Sequence, residues 1–223
     1  MLQAEGIQKS YHSKHVLSGV QLTAGRGACV GIVGRNGCGK STLLAILAGA
    51  IRADGGSVRY QGQQAMKMPA VFAKMTAYVQ QENPLMEELT ARDNLLLWHR
   101  GNQAEFRENL ESGSAKLLGI PEMLHVTVKK MSGGMKKRLS IACALTNHAP
   151  VLILDEPGAS LDLECKEIIG TYIKTFTADG GLVLITSHEL SELALCTELY
   201  VLKDGRLESI KNGLSGKELM DCF

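Results

Sequence analysis

The residues best equipped for chemistry are Gly34-Arg35-Asn36-Gly37-Cys38-Gly39-Lys40-Ser41-Thr42, which fit the spacing G-x-x-x-x-G-K-[ST]. Glycines at 34, 37 and 39 remove the side chains that would hold the backbone off a polyphosphate, so successive N–H groups can turn toward its oxygens. Lys40 supplies a positive charge for the β- and γ-phosphates, Ser41 a hydroxyl for Mg²⁺, and Thr42 a hydroxyl near the α-phosphate. A second centre is Val151-Leu152-Ile153-Leu154-Asp155-Glu156, apolar β-formers ending in two carboxylates. Asp155 is placed to hold Mg²⁺ and Glu156 to act as base for an attacking water. Ser132-Gly133-Gly134 opens a helix running to about Ala149 and has two readings. It is either a serine N-cap followed by Lys136, Lys137 and Arg138 on a solvated face, or a second anion site built from a hydroxyl, bare backbone and a helix N-terminus. His188 is either structural or catalytic, and Tyr11 is either a surface tyrosine or a plate on which a base stacks.

The elements needed to hold these groups are legible around them. Cys29 to Val33 reads as a buried strand entering the glycine loop, and Leu43 to Ala50 as a short apolar helix leaving it, whose N-terminal dipole favours an anion. Residues 2 to 22 suit half-buried antiparallel strands, with Tyr11 in the turn-like segment Ser10 to Lys14. Asp54-Gly55-Gly56 marks a turn before a strand over Ser57 to Gln61, and Met75 to Gln80 reads as a strand that runs into the loop Gln81-Glu82-Asn83-Pro84. Thr90 to Leu118 is helical throughout and predicts a separate lobe bounded by Gly119-Ile120-Pro121. After the acidic strand come a helix over Leu163 to Thr175, a buried strand over Leu182 to Thr186, a hairpin over Leu199 to Leu202 and Arg206 to Ile210, and a short amphipathic helix at most over Ser215 to Phe223.

The 223 residues suffice for a large core, and a net charge of +1 argues against a nucleic-acid partner held through a broad basic surface. Six cysteines are scattered without C-x-x-C spacing, which points to a reducing compartment rather than a disulfide framework or a zinc site. No apolar run has the length of a membrane span, and the N-terminus lacks the layout of a signal peptide, so any membrane role is expected to be peripheral.

Taken together, these signals resemble the nucleotide-binding subunit of an ABC transporter over Tyr11 through Gly205. The most diagnostic segment is Met131-Ser132-Gly133-Gly134-Met135, which is similar to the family's L-S-G-G-Q signature. The resemblance implies a single domain over residues 1–223, α/β in class. A RecA-like P-loop core with an antiparallel β-subdomain would occupy about 1–80 and 151–223, and a helical subdomain about 88–149. It implies that Tyr11 stacks adenine, that Gln81 senses Mg²⁺ and faces the membrane partner, that Asp155 and Glu156 are metal ligand and base, and that His188 is the switch histidine. Ala159-Ser160-Leu161-Asp162 resembles the loop that communicates across a dimer. ATP would lie between Lys40 of one subunit and Ser132 and Gly134 of another, in a homodimer or heterodimer seated on transmembrane permease subunits at the cytoplasmic face of the membrane. Methionines at 131 and 135, Gln80 in place of proline and Gly158 in place of threonine depart from the pattern. Two other classes fit the same motifs: a nucleotide-dependent assembly module acting on a soluble partner, and a regulatory subunit that binds ATP without turnover. The compact segment Glu88 to Leu97 and the short C-terminal region lean toward export.

Overall fold

The computed structural model describes residues 1–82 and 84–222; Asn83 of the expected loop and Phe223 of the expected tail helix lie outside them. Two long strands come first, β1 (Leu2–Tyr11) and β2 (Lys14–Ala24), antiparallel and joined at His12-Ser13, so Tyr11 ends a strand rather than sitting in the turn. The wholly buried β3 (Cys29–Val33) feeds the glycine loop, which empties into α1 (Lys40–Leu47). That helix starts three residues before the expected Leu43, because the loop's own Lys40, Ser41 and Thr42 form its first turn. Next are β4 (Gly55–Tyr60), the short β5 (Gln63–Gln64), α2 (Pro69–Met75) and β6 (Thr76–Val79). Helix α2 was not expected. Pro69 lies at its first position, where a missing N–H costs nothing, and it displaces the start of the expected strand from Met75 to Thr76.

The lobe is helical as expected: α3 (Ala91–Trp98), α4 (Gln103–Glu111), α5 (Ser114–Leu117), two single 3₁₀ turns, and α6 (Gly133–Leu145). Thr90 and Asp93 form a reciprocal capping box and Asn102 caps α4, each cap contributing about 1 kcal/mol. The chain continues through β7 (Val151–Asp155), α7 (Leu163–Ala178), β8 (Leu182–Thr186), the short α8 (Leu190–Leu193), β9 (Glu198–Lys203), β10 (Arg206–Ile210) and α9 (Gly216–Asp221).

Two sheets result. The outer one is antiparallel in the order β2-β1-β4-β5; the central one runs β10-β9-β3-β8-β7-β6, parallel except for β10. Alternate residues of the central strands face different cores. Val30, Ile32, Val151, Ile153, Leu182 and Leu184 pack with α1 and the outer sheet, whereas Leu152, Leu154, Val183 and Ile185 pack with the helical lobe, α7 and α9. Burial on both faces is why β3, β7 and β8 read as continuous apolar runs. The carboxyl ends of β3, β7 and β8 lie side by side, and each delivers one part of the site.

Candidate functional site

A cavity of about 530 Å³ opens at those strand ends, lined by Tyr11, Lys14, Val16, Asn36, Gly37, Gly39, Lys40, Ser41, Thr42, Gln81 and Glu156. Gly39 has φ 114, and a Cβ there would lie 2.6 Å from Val16 Cγ1, so both backbone conformation and space demand glycine. Gly34, Arg35 and Cys38 form the back of the loop, with Cys38 N donating to Arg35 O at 3.2 Å. Lys40 is buried, and its Nζ donates to Gly34 O at 2.7 Å and Arg35 O at 3.3 Å. Tyr11 is 45% exposed and carries Lys9 Nζ 5.4 Å from its ring centroid.

Opposite the loop, the two acids at the end of β7 have different surroundings. Asp155 is buried, and its Oδ1 accepts from Thr186 Oγ1 at 2.6 Å. Glu156 is half-buried with φ 46, a left-handed conformation unusual for a side-chain-bearing residue and costing roughly 1 kcal/mol or more. The conformation is held by Glu156 N donating to Thr186 O and Thr186 Oγ1, both at 3.1 Å. Thr186 thus orients both acids. Gln81 Nε2 donates to Glu156 Oε2 at 3.3 Å, and His188 Nε2 lies 3.6 Å from Glu156 Oε1 and 3.2 Å from Lys40 Nζ. The chain therefore brings Lys40, His188, Glu156 and Gln81 into one network. It also separates Gln81 from Gln80, which is exposed and contributes only its carbonyl.

Ser132, Gly133 and Gly134 do not line this cavity. Ser132 caps α6, accepting from Met135 N at 3.2 Å, and both Ser132 and Gly133 are exposed. Gly134 is buried against α7, where a Cβ would lie 2.8 Å from Cys165 Sγ. The basic run that follows is not uniformly solvated. Lys136 pairs with Glu87 at the surface, but Lys137 is 3% exposed and donates from Nζ to Gln80 O and Gln81 O, each at 2.9 Å. Burial holds the Lys137 ammonium below its ordinary pKa, opposed by the Asp155 and Glu192 charges.

Residues 17–159 match the sequence profile of the family described as "ABC transporter". This chain belongs to that family. Among its relatives, the Nod factor export ATP-binding protein I of Paraburkholderia xenovorans is 32% identical over 208 residues, 92% of this chain and 68% of that protein. The linearmycin resistance ATP-binding protein LnrL of Bacillus subtilis is 31% identical over 213 residues, covering 94% and 68%. A dimeric ATP-binding cassette solved in a post-hydrolysis state with ADP and Pi superposes with a TM-score of 0.85 at 25% identity, over 96% of this chain and all of that one. The ABC ATPase fold is therefore as expected from sequence, and the chain is the ATP-binding, ATP-hydrolysing subunit of a membrane transporter. Among the described residues no helix is long and apolar enough to cross a membrane.

Within this ABC subunit, two of the departures have physical explanations. Met131 is a core residue of the lobe, where methionine and leucine are close in volume, and Met135 packs half-buried against the same core. Sequence reasoning missed Thr186, Lys137 and Glu192. Thr186 stood at a strand end and Lys137 in a basic triplet, and in neither case does spacing indicate a buried partner.

Proposed function

We propose that this subunit powers export, and that it works as a head-to-tail pair in which each ATP is covered by the partner's signature segment. The observation carrying this reading is that Lys40, Ser41, Gln81 and Glu156 share one open cavity while Ser132 and Gly133 lie exposed outside it. A second subunit is then needed to close the site. The export direction rests on the name of the Paraburkholderia relative. The second subunit is a copy or a related cassette, and the opening motion passes to permease subunits at the cytoplasmic face.

In this scheme Tyr11 stacks the adenine, while the N–H groups of residues 34–42 and the start of α1 hold the phosphates. Lys40 exchanges its bonds to Gly34 O and Arg35 O for the β- and γ-phosphates. The donors fit Mg²⁺: the Ser41 hydroxyl, the Asp155 carboxylate and the Gln81 amide oxygen, left free because Nε2 engages Glu156, are all hard oxygens. When bound, Mg²⁺ screens the charge on the β- and γ-phosphates. Glu156 accepts the proton of the attacking water, and His188 holds the γ-phosphate edge.

The test is Mg²⁺-dependent ATP hydrolysis as a function of protein concentration, with Lys40→Ala and Glu156→Gln as controls. Specific activity that rises with concentration and is lost in both variants is expected. Activity independent of concentration in a protein that stays monomeric with ATP overturns the shared-site mechanism. ATP-driven uptake into inverted vesicles bearing the permease tests direction.

A further inference from the structure

A buried carboxylate with no assigned role lies between the loop after Glu156 and the turn that carries His188. Glu192 is 8% exposed on α8, and its Oε2 accepts a short hydrogen bond from Ser187 Oγ. Ser187 Oγ in turn accepts from Glu189 N at 2.9 Å, closing a small turn around His188. On its other side the carboxyl lies against Gly158, two residues beyond Glu156. A Cβ at position 158 would overlap Oε1 and come within 3.0 Å of Cδ. Gly158 does not have a positive φ, so the close neighbour at this position is the Glu192 carboxyl and not a backbone constraint.

The neighbourhood is built to hold that carboxyl in place. Glu192 N donates to Glu189 O at 3.1 Å, and the Glu189 carboxylate pairs with Lys166 of α7 at 2.8 Å. Burial raises the Glu192 proton affinity, and the Ser187 hydroxyl opposes the rise. A buried polar group of this kind is tolerated only where its partners are fixed, and once satisfied it rigidifies what it joins.

We propose that Glu192 is a positioning residue for ATP hydrolysis: its carboxyl clamps the Ser187–Glu189 turn to Gly158 and thereby sets His188 against Glu156. The His188 Nε2 to Glu156 Oε1 separation of 3.6 Å is the distance it governs. The inference rests on the catalytic roles given above to Glu156 and His188. Clamping acts on geometry in the turnover step; within the glycine loop only Lys40, 3.2 Å from His188 Nε2, adjoins the group it positions, and the loop's backbone N–H groups stand apart from it.

The experiment compares Glu192→Ala, Glu192→Gln, Ser187→Ala and the Ser187→Ala/Glu192→Ala double variant in steady-state ATPase assays and in equilibrium binding of a fluorescent ATP analogue. Misplacement by a fraction of an ångström is expected to lower kcat of Glu192→Ala by about tenfold to a hundredfold, with KM and analogue Kd within about twofold. Glu192→Gln, which keeps an acceptor for Ser187, should retain kcat within about threefold. The double variant should be no worse than the poorer single one. Wild-type kcat in Glu192→Ala, a loss confined to KM, or additive losses in the double variant overturns the proposal. If Glu192→Ala fails to fold, Ser187→Ala and Glu192→Gln decide it, because each changes very few atoms. Glu156→Gln is run alongside. Turnover surviving there brings down the assignment of the base, whereas an inactive Glu156→Gln beside an unimpaired Glu192→Ala brings down this inference alone.

Discussion

Lys137→Met keeps an unbranched stem and removes the ammonium that ties the signature helix to the glutamine loop. Two hydrogen bonds of 2.9 Å, to Gln80 O and Gln81 O, are lost from a side chain that is 3% exposed. Hydrogen bonds involving a charged group contribute about 1.5–3 kcal/mol each, and releasing a buried ammonium from its desolvation penalty returns part of that. A net destabilisation of about 2 kcal/mol is expected, which in a chain of this size lowers Tm by about 4–8 °C. Losing its backbone anchor also loosens Gln81 opposite Glu156, so kcat should fall by about tenfold. Differential scanning calorimetry reads the first effect and a steady-state ATPase assay the second. The decisive arm repeats the substitution in a Gln81→Ala background, where the further loss in kcat should shrink to less than about twofold. Equal losses in both backgrounds, or an unchanged Tm, refute the idea that Lys137 acts through the Gln81 loop.

Glu156→Gln should bind ATP with near-native affinity and accumulate as a closed dimer; sedimentation velocity showing only monomer in saturating ATP contradicts this. Cys38 lies at the back of the glycine loop, and Mg-ATP should slow its alkylation by at least about fivefold as read by mass spectrometry. An unchanged labelling rate means that the phosphates bind elsewhere. Burial raises the Glu192 carboxyl above its ordinary 4.5, so the native state keeps a proton that the unfolded chain releases between 4.5 and the native value. The stability contributed by this group therefore increases as pH falls through the native value and levels off below 4.5. Glu192→Gln lacks that proton, and urea unfolding should show wild type gaining on the variant as pH falls from neutral toward 4.5. A difference that stays flat with pH contradicts the buried-carboxyl argument.

The parts of the fold legible in sequence are those in which local pattern and burial agree. β3 and β8 occur at their expected boundaries because both faces are buried and the residues that follow, Gly34 and Ser187, interrupt the run. Helix α2 was illegible because only Val71 and Met75 of its seven residues are buried, which is too little periodicity to see. Among the site residues, the glycine loop and the two acids were named from motif spacing, and Gln81 and the switch role of His188 from the family resemblance; most of them meet around one cavity or one network. What spacing could not convey is which groups brace them. Thr186, Lys137 and Glu192 are recognisable only once partners 30 to 57 positions away in sequence, or across a sharp turn, are seen beside them. Ser132 shows the opposite difficulty. Its N-cap is visible within the chain, but the second role proposed for it, as an anion ligand, would need a neighbouring subunit.

The central sheet is a party wall: one set of its residues belongs to the room containing α1 and the outer sheet, the next set to the room containing the lobe. Side chains that support the glycine loop and side chains that support the lobe thus share a backbone, and Lys137 of the lobe joins the two sides at the carbonyls of Gln80 and Gln81. A membrane neighbour that shifts the lobe would therefore be felt on the nucleotide side of the wall, because the Gln81 loop that Lys137 holds also touches Glu156.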